Sequence, residues 1–267
     1  MSFHRMFWDI ETSPNIMFSW RCGSKIKLDY HNIIQERAII CICWKWEGKK
    51  RIYSLTWDEG DDKEMIEKFS EEVKRADELV AHNGDRFDLR WFNARRLYHD
   101  MDPIPASTTV DTLKIARKHF YFNSNRLDYL ANLLLGEGKI KTEFDLWKNI
   151  VLKNDQTALK KMVQYCKKDV AILERVWEKL RDYELPKTHA GVAKAGVSRD
   201  RWTCPHCGSE DVKQNKKRTS ARGIVSYSMK CRECWRYYAI ADSVHTAYVK
   251  AKYGSASERM NRGEDHA

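Results

Sequence analysis

Apolar and polar positions along the chain predict strands and helices in alternation. Short apolar runs predict five strands, in chain order Phe3–Ile10, Arg37–Trp46, Lys50–Trp57, Leu79–His82 and a short one near Thr108–Val110. Helical spacing predicts six helices, at Asp61–Ala76, Asp85–His99, Asp111–Phe120, Arg126–Leu135, Asp155–Cys166 and Asp169–Tyr183. The second strand begins apolar on both faces, which indicates a central position. This order predicts an α/β fold with a mixed five-stranded sheet flanked by helices.

Length and charge divide the chain into parts. At about 150 residues per domain, a chain of 267 residues suggests two domains. Residues 186–267 carry 16 basic and 8 acidic side chains, whereas residues 1–185 carry 32 and 30, so the net charge of +10 comes mainly from the C-terminal part. A basic segment of this kind favours contact with nucleic acid. We expect a main domain at 1–185, a linker at 186–199, a small domain at 200–242, and a tail at 243–267 that ends in disorder.

The sequence contains no run of about 18 apolar residues, so no membrane span is expected. The first predicted strand begins within the first ten residues, which leaves no room for a signal peptide. These two features predict a cytoplasmic protein. The small size of the chain and its compact layout indicate a bacterial cell or a phage-infected host.

Four cysteines in two C-x2-C pairs predict a metal site. The pairs are Cys204 with Cys207 and Cys231 with Cys234, and 23 residues separate them. Four thiolates at this spacing match tetrahedral zinc, which predicts a small C-terminal four-cysteine zinc ribbon with one structural Zn²⁺. The alternative is two disulfides or free thiols. His206 lies between two ligands and is interpreted as a bystander. The other cysteines, Cys22, Cys41, Cys43 and Cys166, show no pairing pattern and are expected to be reduced thiols.

Two acidic residues, Asp9 and Glu11, end the first predicted strand. Residues i and i+2 of a strand point to the same face, so the two carboxylates lie side by side. A divalent cation offsets their repulsion, because hard ions such as Mg²⁺ prefer oxygen ligands. The alternative is a pair of solvated acids on an edge strand.

Two further motifs distinguish these interpretations. Asn83–Asp88 follows an apolar run and reads N-x-x-x-F-D, and Tyr165–Asp169 lies in a helical segment and reads Y-x-x-x-D. With D-x-E before them, the motifs resemble those of the DEDD superfamily, RNase H-like 3′→5′ exonucleases that include polymerase proofreading domains. The tyrosine indicates the DEDDy branch, since the histidine branch has His where this chain has Gln164. The resemblance spans about residues 5–180 and implies an RNase H-like sheet.

The resemblance also implies a chemistry. Asp9, Glu11, Asp88 and Asp169 would hold two Mg²⁺ or Mn²⁺ ions, and Tyr165 would orient the attacking water. The implied reaction releases 5′-nucleotides from the 3′ end of DNA, with a preference for single strands. The zinc ribbon would aid binding to nucleic acid or to a protein partner.

Several residues have alternative interpretations. Asp85 is a candidate helix N-cap, and the family pattern selects Asp88 instead. Asp111 is interpreted as a helix N-cap, and Asp128 as a surface carboxylate of the helix that follows. Asn83 is a candidate substrate contact.

The aromatic residues also have alternative interpretations. Phe18 and Trp20 follow the first motif in a loop, where they could stack on bases. Trp44 and Trp46 share one strand face and are interpreted as packing residues rather than base platforms.

Two other functions are compatible with the sequence. One is a structure-specific endonuclease or an RNA exonuclease on the same fold. The other is a zinc-ribbon adaptor that binds nucleic acid and carries an inactive nuclease domain.

Overall fold

The computed structural model describes residues 3–20, 23, 26–138, 143–194 and 200–254. The chain forms two compact units. The larger unit is His4–Tyr183, and the smaller unit comprises Glu184–Ala267 with Met1–Phe3. Within the described ranges, no helix is long and apolar enough to span a membrane. Cys22 and the predicted disorder at the end of the chain lie outside the described residues.

The elements of the larger unit alternate between strands and helices. In chain order they are β1 (Arg5–Thr12), β2 (Ile16–Met17), β3 (Ile33–Gln35), β4 (Ile39–Trp46), β5 (Tyr53–Thr56), α1 (Lys63–Lys74), β6 (Glu78–Ala81), α2 (Asp88–Tyr98), β7 (Thr108–Asp111), α3 (Thr112–His119), α4 (Leu127–Leu135), α5 (Phe144–Lys153) and α6 (Gln156–Leu180). The smaller unit contains α7 (Ala190–Lys194), β8 (Val212–Thr219), β9 (Val225–Cys231), β10 (Tyr237–Ala241) and α8 (Asp242–Tyr253).

The main sheet has the order β5-β4-β1-β6-β7. β1 pairs antiparallel with β4 and parallel with β6, and β6 pairs parallel with β7. The predicted mixed five-stranded α/β sheet is therefore confirmed. β4 lies inside the sheet, as its run of apolar residues indicates. The parallel strands β1, β6 and β7 end at the same edge of the sheet, which is where open α/β sheets place their ligand sites.

An aromatic cluster fills the core on one side of the sheet. Trp8 stacks on Phe69 with ring centroids 5.4 Å apart, and Phe69 contacts Phe92 edge to face at 5.3 Å. Trp44 is buried and stacks on Tyr53, which confirms its interpretation as a packing residue. Helices α1 and α2 are thus fixed against the strand that carries Asp9.

Helix α6 is the longest helix described, with 25 residues. The sequence predicts two helices here, which is wrong: no proline or glycine interrupts this stretch, and the helix continues through the lysine pair between them. Asp155 caps its start by accepting hydrogen bonds from the backbone N–H groups of Thr157 and Ala158. A largely buried ion pair between Lys45 of β4 and Glu174 of α6 links this helix to the sheet.

Other elements have no counterpart in the predicted pattern. They are the small sheet of β2 and β3, helix α5, and helix α8 in the predicted tail. Helix α7 lies in the stretch that the sequence interprets as a linker, and the backbone N–H of Ala190 donates to the carbonyl of Pro205, 2.9 Å away. Residues 190–194 of this stretch therefore belong to the fold of the smaller unit rather than only connecting two domains.

The smaller unit is built on the antiparallel sheet β10-β9-β8. Helix α8 covers one face of this sheet: the Tyr248 hydroxyl donates to the carbonyl of Val212, and His245 stacks on Tyr227 with ring centroids 3.5 Å apart. The buried side chains of β9, which alternate with less buried ones, lie on this covered face.

Replacing Gly84 tests the tight turn between β6 and α2. A Cβ at this position would lie 2.4 Å from the Cβ of Ala81. We expect Gly84→Ala to lower the free energy of unfolding by about 1–3 kcal/mol, the usual cost of overpacking. Urea denaturation measures this change. Gly138→Ala is the control, because no atom lies within 4 Å of its added Cβ. Equal stability of the two variants would contradict the predicted clash.

Candidate active site

Asp9 and Glu11 lie on one face of β1, near its carboxyl end. They pair across the sheet with Cys43 and Cys41 of β4, so these four side chains share a face. Both carboxylates are half-buried, at the point where β1 leaves the core. The predicted side-by-side placement of the pair is therefore present, on an internal strand rather than an edge strand.

Helix α6 places Asp169 and Tyr165 over the same face. The two residues are one helical turn apart and point in the same direction. Asp169 is buried, with 4% of its surface exposed, and Tyr165 is half-buried. Carboxylate oxygens of Asp9, Glu11 and Asp169 lie within 4.8 Å of one another. Residues about 160 positions apart in sequence are thus brought into one acidic cluster, defined here as Asp9, Glu11 and Asp169.

Asp88 lies beside this cluster and is more deeply buried. It begins α2, and its Oδ1 accepts a hydrogen bond of 3.1 Å from the backbone N–H of Ile10, the residue between Asp9 and Glu11. The three carboxylates that approach within 4.8 Å do not include Asp88. Burial, with a smaller contribution from Asp111, raises the pKa of the Asp88 carboxyl to about 7. In the absence of a cation, Asp88 is therefore partly protonated at neutral pH.

The structure distinguishes the roles of Asp85 and Asp88 in the second motif. Asp85 precedes α2 and forms an ion pair with Lys114. It is not the N-cap, because Phe87 occupies that position, without a side-chain hydrogen bond. Asp88, rather than Asp85, contacts the strand that carries Asp9 and Glu11. Asp111 caps α3 by accepting from the backbone N–H of Leu113, which confirms its interpretation as a helix N-cap.

The turn after β6 forms one wall of the site. Asn83 adopts a left-handed backbone conformation with φ of 68°, and its N–H donates to Asp111 Oδ1 over 2.9 Å. His82 bridges two segments, with Nδ1 2.9 Å from Thr112 Oγ1 and Nε2 2.9 Å from the carbonyl of Asn125. Because a carbonyl only accepts, Nε2 carries a proton and donates it to the carbonyl of Asn125.

A groove of about 700 Å³ opens over Asp9, Tyr165 and Asp169. Its wall includes the predicted residue Asn83 and a set of polar and charged side chains that the motifs do not identify: His82, Arg117, Asn123, Asn125 and Arg126. Asp128, interpreted from sequence as a surface carboxylate, also lines it. The exposed side chains of Arg117 and Arg126 supply positive charge at the rim. Carboxylates at the floor and cations at the rim suit a phosphodiester substrate.

The loop aromatics are not among the residues that line this groove. Phe18 and Trp20 are 74% and 103% exposed. Their stacking on bases stays a prediction.

Three buried thiols lie directly beside the acidic cluster. The sulfurs of Cys41, Cys43 and Cys166 lie within 4.8 Å of one another, and Cys166 Sγ is 3.6 Å from Asp9 Oδ2. Their spacing in the sequence does not predict this proximity, because it arises from the register of β1 and β4 and from the packing of α6. Hydrogen bonds from Cys166 and then Cys41 lower the pKa of Cys43 to about 5. Cys166 Sγ also donates to the backbone carbonyl of Asp9 over 3.5 Å, so this thiol contacts both the backbone and the carboxylate of Asp9.

The four cysteines of the predicted ribbon form a separate cluster in the smaller unit. The Sγ atoms of Cys204 and Cys234 are 3.6 Å apart, and those of Cys207 and Cys231 are 3.7 Å apart. All four lie within 4.8 Å of one another. Gly208, with φ of 81°, closes the first C-x2-C turn. A tetrahedral Zn²⁺ with Zn–S bonds of about 2.3 Å requires sulfurs about 3.8 Å apart, so the four thiols fit this ion.

Comparison with known proteins places the larger unit in a family. Residues 35–181 match the model of the RNase H superfamily, a range that contains Asp88, Tyr165 and Asp169 but begins after Asp9 and Glu11. Among curated protein sequences, no match was found.

Among solved structures, the chain is similar to the family B DNA polymerase from the hyperthermophilic archaeon Pyrobaculum calidifontis. The TM-score is 0.54 and the sequence identity 16%, over 83% of this chain. The similarity covers 31% of the polymerase chain. At this identity the likeness concerns the fold.

The raised pKa of Asp88 predicts a pH dependence of stability. The carboxyl of an unfolded chain titrates near ~3.9, so between about pH 4 and the folded pKa of about 7 only the folded protein holds this proton. Asp88 therefore contributes stability at low pH that is lost as pH rises towards 7. Without added divalent cations, we expect the unfolding free energy of the wild type, relative to Asp88→Asn, to fall between pH 5 and 7 and level off above.

Urea denaturation at matched pH values measures this difference. Because the two proteins differ at one carboxyl, the contributions of the other titrating groups cancel in the difference between their unfolding free energies. Curves that stay parallel from pH 5 to 8 would contradict the raised pKa.

Proposed function

Because the chain belongs to the RNase H superfamily, we propose that it is a metal-dependent 3′→5′ exonuclease that hydrolyses phosphodiester bonds of single-stranded DNA. The approach of Asp9, Glu11 and Asp169 to within 4.8 Å carries this proposal. Family membership supports a nuclease. The order of the three motifs, which resembles DEDD exonucleases, supports the exonuclease class.

The donor set fits divalent cations. Carboxylate oxygens are the ligands that Mg²⁺ and Mn²⁺ prefer, and three carboxylates this close are unfavourable without positive charge between them. Asp9, Glu11 and Asp169 would hold the ions, and Asp88 would join them after losing its proton. When bound there, two ions would lower the pKa of the attacking water and would offset charge on the scissile phosphate.

Side chains of this chain would position the reactants. The Tyr165 hydroxyl, on the groove wall one turn before Asp169, orients the attacking water. A phenol with a pKa near ~10 is a poor general base at neutral pH, so its role is positioning. Arg117 and Arg126 bind phosphates of the strand, and Asn83 contacts the substrate from the turn after β6. Phe18 and Trp20 are proposed to stack on bases farther from the reacting phosphate.

The four-cysteine cluster is proposed to bind one structural Zn²⁺. Its sulfur separations match that ion, and cysteine thiolates prefer zinc to Mg²⁺. The ion would join the first C-x2-C turn to the end of β9, which stabilises a sheet with a small core. The ribbon is proposed to aid binding to nucleic acid or to a protein partner.

End-labelled oligonucleotides test the reaction and its polarity. We expect single-stranded DNA to be shortened stepwise from its 3′ end with Mg²⁺ or Mn²⁺ present, and to stay intact in EDTA. Asp9→Ala should lower the rate by several orders of magnitude, because it removes part of the metal platform. Asp145→Ala, which changes an exposed carboxylate elsewhere, is the control. Full activity of Asp9→Ala would contradict the metal assignment.

The same assay distinguishes the other functions. Internal cuts would indicate a structure-specific endonuclease, and preference for a labelled RNA would indicate an RNA exonuclease. Binding without hydrolysis under any metal would indicate an adaptor with an inactive nuclease domain. Each of these results replaces the proposed reaction.

Replacing Tyr165 tests the positioning role. Tyr165→Phe keeps the ring and removes only the hydroxyl. We expect turnover to slow by roughly 10- to 1000-fold, within or somewhat below the range for lost acid–base participation, while substrate affinity changes little. Tyr121→Phe, at an exposed tyrosine outside the groove, is the control. A wild-type rate for Tyr165→Phe would show that Tyr165 serves only in packing.

A further inference from the structure

The strand register of the smaller unit separates the sheet into two unlike faces. One face is covered by α8 and contains the alternating buried residues of β9 and β10. The other is called the open face and is defined by three cross-strand rows. These rows are Lys213–Lys230–Tyr237, Lys216–Ser228–Ala239 and Arg218–Ser226–Ala241. A bulge between Gln214 and Lys216 shifts the register so that Lys213, Lys216 and Arg218 all lie on this face.

The open face is positively charged. Lys213, Lys216, Arg218 and Lys230 contribute four cations. Within the described part of the smaller unit, no acidic side chain belongs to any of the three rows. Lys216 and Arg218 are two residues apart on one strand, or about 6.6 Å, which is close to the separation of consecutive phosphates along an extended strand. This row of cations therefore complements a polyanion in which charges repeat at short intervals.

Two aromatic rings lie at one end of the open face. Trp235 is 66% exposed and Tyr237 is 52% exposed. The ammonium group of Lys230 lies 5.1 Å from the Trp235 ring centroid and 5.4 Å from that of Tyr237, so one cation contacts both rings. Large exposed rings beside cations are the features that bind unpaired bases and their phosphates.

The remainder of the face is made of small side chains. Ser226, Ser228, Ala239 and Ala241 occupy the middle and outer strands next to the cations. Small residues leave the sheet surface flat, so a nucleic-acid backbone can approach closely while its bases reach the aromatic end. An acidic protein segment would use the cations, but it would have no need of two exposed rings.

We propose that the open face binds single-stranded nucleic acid, with phosphates on Lys213, Lys216, Arg218 and Lys230 and bases stacked on Trp235 and Tyr237. The site lies outside the acidic cluster and does not depend on the nuclease assignment. The proposed ligand of the ribbon is therefore single-stranded nucleic acid, and the bound nucleic-acid strand runs from the basic rows to the aromatic end.

Two matched charge variants of the full-length protein test this site. Lys213, Lys216, Arg218 and Lys230 are changed to Gln in one variant; Arg201, Lys217, Lys250 and Lys252, which lie off the open face, are changed to Gln in the other. Both variants lose four positive charges, so the long-range electrostatic attraction between protein and nucleic acid falls equally in the two. Asp9→Ala is included in every protein so that the oligonucleotide survives, and one zinc per chain is verified by metal analysis.

Fluorescence anisotropy with a labelled single strand, as DNA and as RNA, measures the affinity at several salt concentrations. Each phosphate contact contributes a slope of about −0.7 in a plot of log K against log salt. The open-face variant should bind at least about 10-fold more weakly than the parent. The slope of its log K against log salt should be smaller in magnitude by up to about 3, which is the contribution of four phosphate contacts. The off-face variant should stay within about threefold of the parent. Equal losses in both variants would overturn the proposal.

Trp235 gives an independent readout. Trp235→Ala should weaken single-strand binding by about 5- to 150-fold, the range for one lost base stack, without changing the salt slope. Trp235→Phe should retain most of the affinity, and a duplex of equal length should not distinguish the three proteins, because its bases are already stacked. An unchanged affinity of Trp235→Ala for single strands would contradict the aromatic platform and favour an acidic protein as the ligand.

Hydrolysis of a short oligonucleotide by proteins with Asp9 intact separates this proposal from the proposed function. If the protein with Asp9 intact is inactive, but the open-face variant still binds more weakly than the off-face variant, only the nuclease assignment is refuted. A protein that is active, with equal binding by the two charge variants, refutes only the open face.

Discussion

The main constraint on this structure is the electrostatic repulsion among the carboxylates that the fold brings together. Asp9, Glu11 and Asp169 approach within 4.8 Å, with Asp88 buried beside them. Such an arrangement is unfavourable without positive charge between the carboxylates. Beside them, burial raises the pKa of the Asp88 carboxyl to about 7. The surrounding fold must hold these groups in place, and in the proposed function a divalent cation balances their charge. The large aromatic core and the ionic link between Lys45 and Glu174 supply the rigidity that this requires.

The position of β1 explains how the cluster forms. Its neighbours are antiparallel β4 and parallel β6, so the strand carries its two carboxylates to the edge where β6 and β7 also end. Helix α6 packs against β1 and β4 and brings Asp169 to the two carboxylates of β1. The backbone N–H of Ile10 is satisfied by Asp88, which joins the second motif to the first. Each motif therefore supports another, and the groove above them is lined by the turns that follow β6 and α3.

The sequence allows much of this to be predicted, for physical reasons. Period-two spacing places Asp9 and Glu11 together, helical spacing aligns Tyr165 with Asp169, and paired C-x2-C motifs indicate the four-sulfur cluster. Other features depend on contacts between distant segments and carry no local signal. The thiol group of Cys41, Cys43 and Cys166 arises from strand register and helix packing. Arg117 and Arg126 reach the groove only after α3 and α4 are placed, and the open face of the ribbon depends on a single bulge in β8.

The acidic cluster is proposed to bind divalent cations. Diffraction from crystals soaked in Mn²⁺, recorded where manganese scatters anomalously, tests it most directly. We expect anomalous peaks within bonding distance of Asp9, Glu11 and Asp169, with Asp88 joining the ligands, and we expect these peaks to be lost in crystals of Asp9→Ala. A well-ordered site without a manganese peak, or peaks that persist unchanged in Asp9→Ala, would contradict it.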